Sequence, residues 1–147
     1  ALELIQRGHR LVADDRVELY MVDELTLIGE APEILQNLLE IRGLGIVDIM
    51  SLYGVSAIKR SKQLELIIDM VIDDGQIEYE RLGSQSQFDR IFDVQVPKIR
   101  IPVKTGRNLA AIIEAAAMNF RAQQMGFDAT ETFNKKLDAL IQSNREA

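Results

Sequence analysis

Apolar residues at every second position dominate several short stretches near the start of the chain and predict β-strands. One stretch covers residues 17–21 and the next covers residues 25–27. The acidic pair Asp23-Glu24 separates them, and short acidic residues favour turns. The pattern therefore predicts a hairpin of two short strands.

Three further stretches are predicted to be extended. Residues 10–13 are apolar after the first position, which is typical of a short buried strand. Residues 64–72 alternate over their whole length and predict a long strand. Residues 94–103 also suit extended chain, but Pro97 and Pro102 cannot donate to a ladder and restrict it to edge or irregular pairing.

Apolar residues three and four positions apart predict two helices in the first half of the chain. Residues 1–7 form the first, and Gly8 stands where a helix would stop. The second opens with Pro32 in its first turn and stops near Arg42-Gly43.

The end of the chain predicts two longer helices. Residues 109–120 have helical spacing, and Gly126 would end that helix. Asp128 and Glu131 resemble a capping box, which opens the last helix. Strands followed by two C-terminal helices predict an α/β fold with a mixed sheet.

Composition and charge exclude several classes of function. The 147 residues contain no Cys and one His, which excludes disulfides, thiol catalysis and thiolate or multi-His metal centres. A net charge of −6 argues against a general nucleic-acid-binding protein, because such proteins neutralise phosphates with clustered Lys and Arg. The apolar stretch at 109–118 is shorter than the about 20 residues that cross a bilayer. We therefore expect no nucleic-acid or membrane partner.

The acidic pair Asp14-Asp15 is the first candidate for chemistry. It directly follows the predicted strand at 10–13, and ligands of open α/β sheets bind outside the carboxyl ends of the strands. One carboxylate could help to hold a Mg²⁺ shell while the other accepts a proton. The alternative is a solvated turn.

The loop at 104–108 is the second candidate. Its glycine allows a close backbone turn, the following helix start exposes unpaired N–H groups, and Lys104 and Arg107 supply positive charge. These features suit a phosphate-binding loop. The alternative is a surface turn in which Asn108 caps the helix.

The glycine-rich segment at 40–45 is the third candidate. Its two glycines, close to Glu40 and Arg42, indicate a tight turn that positions charge, although a glycine-ended helix with a solvated pair is equally natural. The dinucleotide fingerprint is excluded because its third glycine is missing.

Acids suited to Mg²⁺ together with cations suited to phosphate are the combination that phosphoryl transfer needs. We therefore favour phosphoryl transfer on the residues alone. The sequence contains no G-x-x-x-x-G-K-[ST] motif, so we expect the main cradle of any nucleotide to lie upstream of Ala1.

Five segments, in order, closely resemble bacterial HPr kinase/phosphorylase. They are LIQRGHRLVADD at 4–15, LLEIRGLG at 38–45, RLG at 81–83, PVKTGRNL at 102–109 and AAAMNFR at 115–121. The resemblance covers essentially the whole chain. It implies a P-loop-containing kinase domain similar to phosphoenolpyruvate carboxykinase, with residues 1–147 as a C-terminal kinase/phosphorylase domain that lacks its upstream strands and phosphate-binding loop.

The resemblance also implies a bifunctional cytoplasmic enzyme of carbon catabolite repression. With ATP or pyrophosphate as donor and Mg²⁺ as cofactor, such an enzyme phosphorylates a serine of the phosphocarrier protein HPr. In reverse, inorganic phosphate attacks the phosphoserine and releases pyrophosphate. Members of the family are homohexamers.

By position in these motifs, Asp15 resembles the general base of phosphorylation and the acid of the reverse reaction, with Asp14 beside it at the metal and water shell. Arg81 resembles a catalytic cation, and Glu40 a Mg²⁺ ligand. The resemblance implies a segment used in both directions, made of Leu39, Glu40, Ile41, Arg42, Gly43, Leu44, Gly45, Ile46, Val47 and Asp48. It implies a dephosphorylation segment made of Pro102, Val103, Lys104, Thr105, Gly106 and Arg107.

Two other functions remain as alternatives. One is a related small-molecule kinase with a nucleotide site similar to that of phosphoenolpyruvate carboxykinase. The other is a non-catalytic module that senses nucleotide or phosphate through the loop at 104–108.

Overall fold

A computed structural model gives the fold, and it describes residues 1–72, 87–104 and 108–146. The chain divides into two compact units, Ala1–Ala110 and Ala111–Ala147. The first unit contains strands and short helices, and the second is helical.

The secondary structure is α/β, as predicted. Among the described residues the helices are α1 (Leu2–Gln6), α2 (Ile49–Tyr53), α3 (Leu109–Gln124) and α4 (Ala129–Glu146). The strands are β1 (Glu18–Asp23), β2 (Thr26–Glu30), β3 (Leu38–Ile41), β4 (Gly45–Asp48), β5 (Ser61–Gln63), β6 (Ile67–Ile72), β7 (Gln87–Ile91) and β8 (Val94–Val103).

The predicted hairpin at 17–27 is confirmed. Strands β1 and β2 pair antiparallel, and β5 pairs antiparallel with the other edge of β2. The backbone N–H of Leu25 donates to Asp23 Oδ1 at 2.8 Å. That hydrogen bond, followed by one from the Thr26 side chain, holds the pKa of Asp23 below its usual value.

The helix predicted from Pro32 to Arg42-Gly43 is wrong. A single 3-10 turn at Glu33–Leu35 is followed by the antiparallel hairpin of β3 and β4. Asn37 has a φ of 67°, a left-handed conformation in which an α-helix cannot continue. Spacing misled the prediction because Leu38 and Leu39 suit a helix face and a strand equally well.

Two strand predictions need correction at their bounds. Residues 10–13 form no strand: Leu11 makes a single parallel bridge to Ile58. The predicted strand at 64–72 begins only at Ile67, because Leu64–Leu66 is where the chain passes from the sheet of β5 to the sheet of β6. An alternating pattern shows which residues face the core but does not show where a ladder begins.

A mixed three-stranded sheet of order β6-β8-β7 forms the rest of the first unit. Strand β8 is central in the strand order, but its two partners are staggered along it, which is the irregular pairing predicted as the alternative to an edge position. Pairing explains how it tolerates proline: β7 pairs with residues 94–98, whereas β6 pairs with residues 98–103. Pro97 pairs only with Phe88 of β7 and Pro102 pairs only with Val71 of β6, so the missing N–H of each proline can face the unpaired side.

Charged side chains join the three strands of this sheet. The Lys98 ammonium lies 3.2 Å from an Asp89 oxygen and 3.9 Å from an Asp69 oxygen. The Arg100 guanidinium lies 3.2 Å from the same Asp69 oxygen. Because Asp69, Lys98 and Asp89 come from β6, β8 and β7, the ion pairs span the sheet.

Two clusters of buried apolar side chains form the core of the first unit. The first consists of Ile5, Leu11, Leu39, Ile49 and Ala57. The second consists of Leu27, Val94 and Val96 and joins the β1-β2-β5 sheet to β8. The first cluster matters for the site because it anchors both Leu11 and β3.

The second unit confirms the two predicted C-terminal helices. Gly126 has a φ of 93° in the connection between them, as a C-terminal cap requires. Asp128 Oδ1 accepts hydrogen bonds from the N–H groups of Thr130 and Glu131 at 3.0 and 3.2 Å, and so caps α4. Over the described ranges, no helix has the length and apolar character needed to span a bilayer.

Candidate active site

A small pocket of about 100 Å³ in the first unit brings three acidic residues together. Asp14 and Asp15 line it from the segment after Leu11, and Glu40 lines it from β3. The remaining lining residues are Arg16, Leu35, Leu38 and Ile46. Two of the three candidate segments thus contribute to one pocket, although they are 26 residues apart in sequence at their point of contact.

A direct hydrogen bond joins the two segments. The backbone N–H of Glu40 donates to Asp14 Oδ2 at 3.0 Å. Asp14 is half-buried, whereas Asp15 and Glu40 are exposed. The carboxylate of Asp14 is therefore engaged with β3, and the Asp15 and Glu40 side chains face solvent.

The β3–β4 hairpin places Glu40 at the pocket. Along β3, Leu39 is buried in the first core cluster and Glu40 is exposed, as the alternation of a strand requires. Gly43 and Gly45 have φ values of 89° and 103°, which favour glycine in this tight connection. Ile46 pairs with Glu40 from β4 and so reaches the same pocket.

One wall of the pocket is apolar. Leu35, Leu38 and Ile46 form it, and Ile46 keeps 69% of its surface exposed. An exposed apolar side chain beside carboxylates cannot interact favourably with a phosphate or a metal ion. This wall is suited to the apolar part of a bound molecule.

The acids fit a Mg²⁺ site of the kind that is completed by substrate. Within residues 1–72, 87–104 and 108–146, no group of three His, Cys, Asp or Glu side chains is arranged to hold a metal ion by itself. Mg²⁺ at phosphoryl-transfer sites is usually held by one or two carboxylates together with substrate phosphates and waters. The exposed Glu40 carboxylate could supply one such oxygen ligand.

The predicted cations and the segment at 102–107 either do not line this pocket or lie outside the described residues. Lys104 is exposed directly after β8 and does not line the acidic pocket. Thr105–Arg107 and Arg81 lie outside the described residues, so their roles remain predictions. Pro102 and Val103 are the last two residues of β8 and pair with Val71 and Ile72 of β6.

Three pocket residues were not predicted from the sequence. Leu35 and Leu38 were assigned to the face of a helix that does not form. Arg16 directly follows the acidic pair, and a cation next to two acids was a signal that could have drawn attention to it. It is the basic residue among those that line the described pocket.

Comparison with known proteins gives a consistent result. The family model described as the HPr Serine kinase C-terminal domain matches residues 1–137. The HPr kinase/phosphorylase of Levilactobacillus brevis is 58% identical over 144 residues, which are 98% of this chain and 46% of that protein. The HPr kinase/phosphorylase of Enterococcus faecalis is 57% identical over 144 residues, with the same coverage.

A solved structure shares the fold. The structure of the Hpr(Ser) kinase/phosphatase from Coxiella burnetii matches with a TM-score of 0.78 at 33% identity, over 90% of this chain and 80% of that one. The chain spans about half the length of the curated relatives it matches. Since the family model matches nearly the whole chain and relatives share more than half of its residues, the chain belongs to the HPr serine kinase C-terminal domain family.

Proposed function

We propose that this chain is the catalytic part of a bifunctional serine kinase/phosphorylase that acts on the phosphocarrier protein HPr. The observation that supports the proposal best is the pocket that Asp14, Asp15 and Glu40 share, in a chain of the HPr kinase family. In the forward direction a serine of HPr receives a phosphoryl group from ATP or pyrophosphate. In the reverse direction inorganic phosphate takes that group from phosphoserine and leaves as pyrophosphate.

Asp15 acts as the proton-transfer group. In the forward reaction the serine oxygen attacks the terminal phosphorus of the donor, the bond from that phosphorus to the leaving ADP or phosphate breaks, and the Asp15 carboxylate takes the hydroxyl proton. In the reverse reaction the protonated carboxyl returns it to the serine oxygen. Its exposure at the pocket is consistent with access to a hydroxyl on another protein.

Glu40 provides an oxygen ligand for Mg²⁺. When bound, the ion neutralises charge on the transferring phosphoryl group. Glu40 lies within β3, and the buried Leu39 next to it fixes the strand against the core. The Glu40 carboxylate is therefore held on the exposed face, at the pocket that Asp15 also lines.

Arg81 and the segment at 102–107 supply positive charge in this proposal. Arg81 stabilises the charge of the transferring group, and Lys104 and Arg107 bind the inorganic phosphate that drives dephosphorylation. The family resemblance supports these assignments, together with the position of 104–108 between the end of β8 and the start of α3.

The apolar wall of the pocket favours a protein acceptor over a small organic acid. Leu35, Leu38 and Ile46 suit apolar side chains that flank a serine on a polypeptide. A kinase for a small organic acid is therefore the weaker candidate.

The same proposal includes the wider properties of the family. We infer a P-loop-containing kinase domain similar to phosphoenolpyruvate carboxykinase, assembled as a homohexamer in the cytoplasm and serving carbon catabolite repression. The match to a solved HPr(Ser) kinase/phosphatase supports the fold.

An Asp15→Asn variant tests the central assignment. In the longest natural polypeptide that carries these 147 residues, we expect Asp15→Asn to abolish phosphorylation of HPr while nucleotide binding stays near the wild-type value. The control is Asp93→Asn, at the exposed turn between β7 and β8, which removes the same charge away from the acidic pocket. Asn tolerates the left-handed φ of 65° at that position.

Three results would contradict the proposal. Retained transfer in Asp15→Asn would remove Asp15 from the proton transfer. Transfer to small organic acids in preference to HPr would favour the small-molecule kinase, and binding of pyrophosphate without any turnover would favour the sensing module.

A further inference from the structure

The hydrogen bond between Asp14 and β3 joins the residues proposed for proton transfer and metal binding. Asp14 is the covalent neighbour of Asp15, and the N–H that it accepts belongs to Glu40 itself. One hydrogen bond at 3.0 Å therefore connects the segment that carries the base to the strand that carries the metal ligand. The bond therefore couples the position of one segment to that of the other at the pocket.

The exposed edge of β3 explains why a side chain takes this position. In the described part of the chain, β3 pairs with β4 along one edge and with no strand along the other. An unpaired strand edge presents N–H groups that need an acceptor. The carboxylate of Asp14 supplies one for Glu40, in place of a neighbouring strand.

Both partners of the bond are anchored in the same core. Leu11 precedes the acidic pair and is buried beside Leu39, which precedes Glu40. The backbone of Leu11 is also held by Ala57 and Lys59, with hydrogen bonds of 2.8 and 2.9 Å. The two segments therefore contact each other twice: through Leu11 and Leu39 in the core, and through the Asp14–Glu40 hydrogen bond nearer the surface.

We propose that Asp14 is a positioning residue, which holds the backbone of Glu40 in register with the Asp15 carboxylate so that base and metal ligand meet the same substrate. This inference rests on the proposed function. It differs from a role at the metal and water shell, because it needs a hydrogen-bond acceptor at position 14 and does not need a negative charge there. The half-buried position of Asp14 suits the positioning role.

Two substitutions separate the acceptor from the charge. Asp14→Asn keeps a side-chain oxygen that can accept the Glu40 N–H and removes the charge. Asp14→Ala removes both. In the longest natural polypeptide that carries this chain, each variant is measured for hydrogen exchange of the Glu40 amide, for kcat and KM with HPr, and for the Mg²⁺ concentration that gives half-maximal activity.

The expected pattern is a rescue by Asn. Asp14→Ala should speed exchange of the Glu40 amide by about tenfold, the effect of losing one hydrogen bond of ordinary strength. It should lower kcat, or raise the half-maximal Mg²⁺ concentration, by about 10-fold to 100-fold, as loss of a residue that orients a metal ligand does. Asp14→Asn should keep the exchange rate of the Glu40 amide, kcat and the half-maximal Mg²⁺ concentration within about threefold of wild type, since a neutral acceptor is weaker than a charged one but retains the geometry. KM for HPr should stay unchanged in both variants.

The outcomes distinguish this inference from the proposed function. Equal losses in Asp14→Asn and Asp14→Ala would assign the effect to charge and overturn the positioning role. Faster exchange at Glu40 without a loss of activity would overturn it as well. A wild-type protein that transfers no phosphoryl group to HPr would instead overturn the proposed function, while the exchange measurement still reports whether Asp14 holds β3.

Folding is measured in parallel by the thermal unfolding of each variant. If Asp14→Ala does not fold, Asp14→Ser replaces it, because its hydroxyl lies one bond nearer the backbone and is too short to span the same distance. Faster exchange with impaired transfer in a folded Asp14→Ser supports the inference, and wild-type exchange or transfer overturns it.

Discussion

The core beneath the acidic pocket can be tested by one substitution with an internal control. Leu39 keeps 3% of its surface exposed and packs with Ile5, Leu11 and Ile49 below β3. Leu44 lies five residues later, in the connection of the same hairpin, and keeps 70% exposed. Leu39→Ala and Leu44→Ala therefore remove the same atoms from a buried and an exposed position of one element.

The magnitude follows from what Leu→Ala removes. Three carbon groups leave the side chain, and burial of each is worth about 0.8 kcal/mol, or about 2.4 kcal/mol together. The cavity left in a packed core adds to this loss, so Leu39→Ala should lower the free energy of unfolding by about 3 kcal/mol. Leu44→Ala should change it by less than about 0.5 kcal/mol, as exposed substitutions usually do.

Urea unfolding measures the difference. All three tyrosines of the sequence lie within residues 1–110 and the chain has no Trp, so tyrosine fluorescence reports on the first unit. With a urea dependence of about 2 kcal/mol per M, the Leu39→Ala midpoint should fall by about 1.5 M. A conservative variant, Ile49→Val, should lose about 1 kcal/mol and shows the effect if Leu39→Ala does not fold.

Equal midpoints for Leu39→Ala and Leu44→Ala would refute the packing of β3 described above. So would a larger loss from Leu44→Ala, since that would place Leu44 rather than Leu39 in the core. Either result would also remove the basis on which Glu40 is held beside Asp15.

Two further predictions concern acids outside the pocket. The hydrogen bond from Leu25 lowers the pKa of Asp23, so the stabilising contribution of the Asp23 carboxylate is present above the unfolded pKa of about 3.9 and is lost as pH falls through the folded pKa. Asp23→Asn should therefore reduce the loss of stability between pH 5 and pH 3 in urea titrations. Glu24→Gln, which removes a carboxylate from the same turn, is the control, and an unchanged acid dependence in Asp23→Asn would contradict the prediction. Asp128→Ala should destabilise α4 by about 1 kcal/mol and lower the helical signal in circular dichroism, because two backbone N–H groups lose their acceptor. Asp138→Ala, in the exposed middle of the same helix, is the control, and an equal effect of both substitutions would exclude capping by Asp128.

Local pattern predicted the elements that need little help from the rest of the chain. The β1–β2 hairpin has a turn between two alternating runs, and α3 and α4 have long runs of helical spacing with a capping glycine and a capping Asp. In such segments the local preferences of many residues agree, and tertiary packing does not have to choose among alternatives. These predictions are confirmed for that reason.

Short apolar runs were decided by their partners instead. Residues 38–41 suit a helix or a strand by spacing, and the left-handed Asn37 with the pairing of β4 made them a strand. Residues 94–103 contain two prolines, and the staggered pairing of β6 and β7 let the strand take a central position. Periodicity specifies a face to bury, but the partner that buries it comes from elsewhere in the chain.

The candidate site shows the same division. The residue types made Asp14 and Asp15 candidates for phosphoryl transfer, the family resemblance added Glu40 as a predicted metal ligand, and the motifs identified the family. Only the tertiary structure placed Asp14 against the Glu40 backbone and set Leu35, Leu38 and Ile46 beside the acids. The physical reason is that a shared core, built from Leu11 and Leu39 of two separate segments, determines which side chains meet on the surface above it.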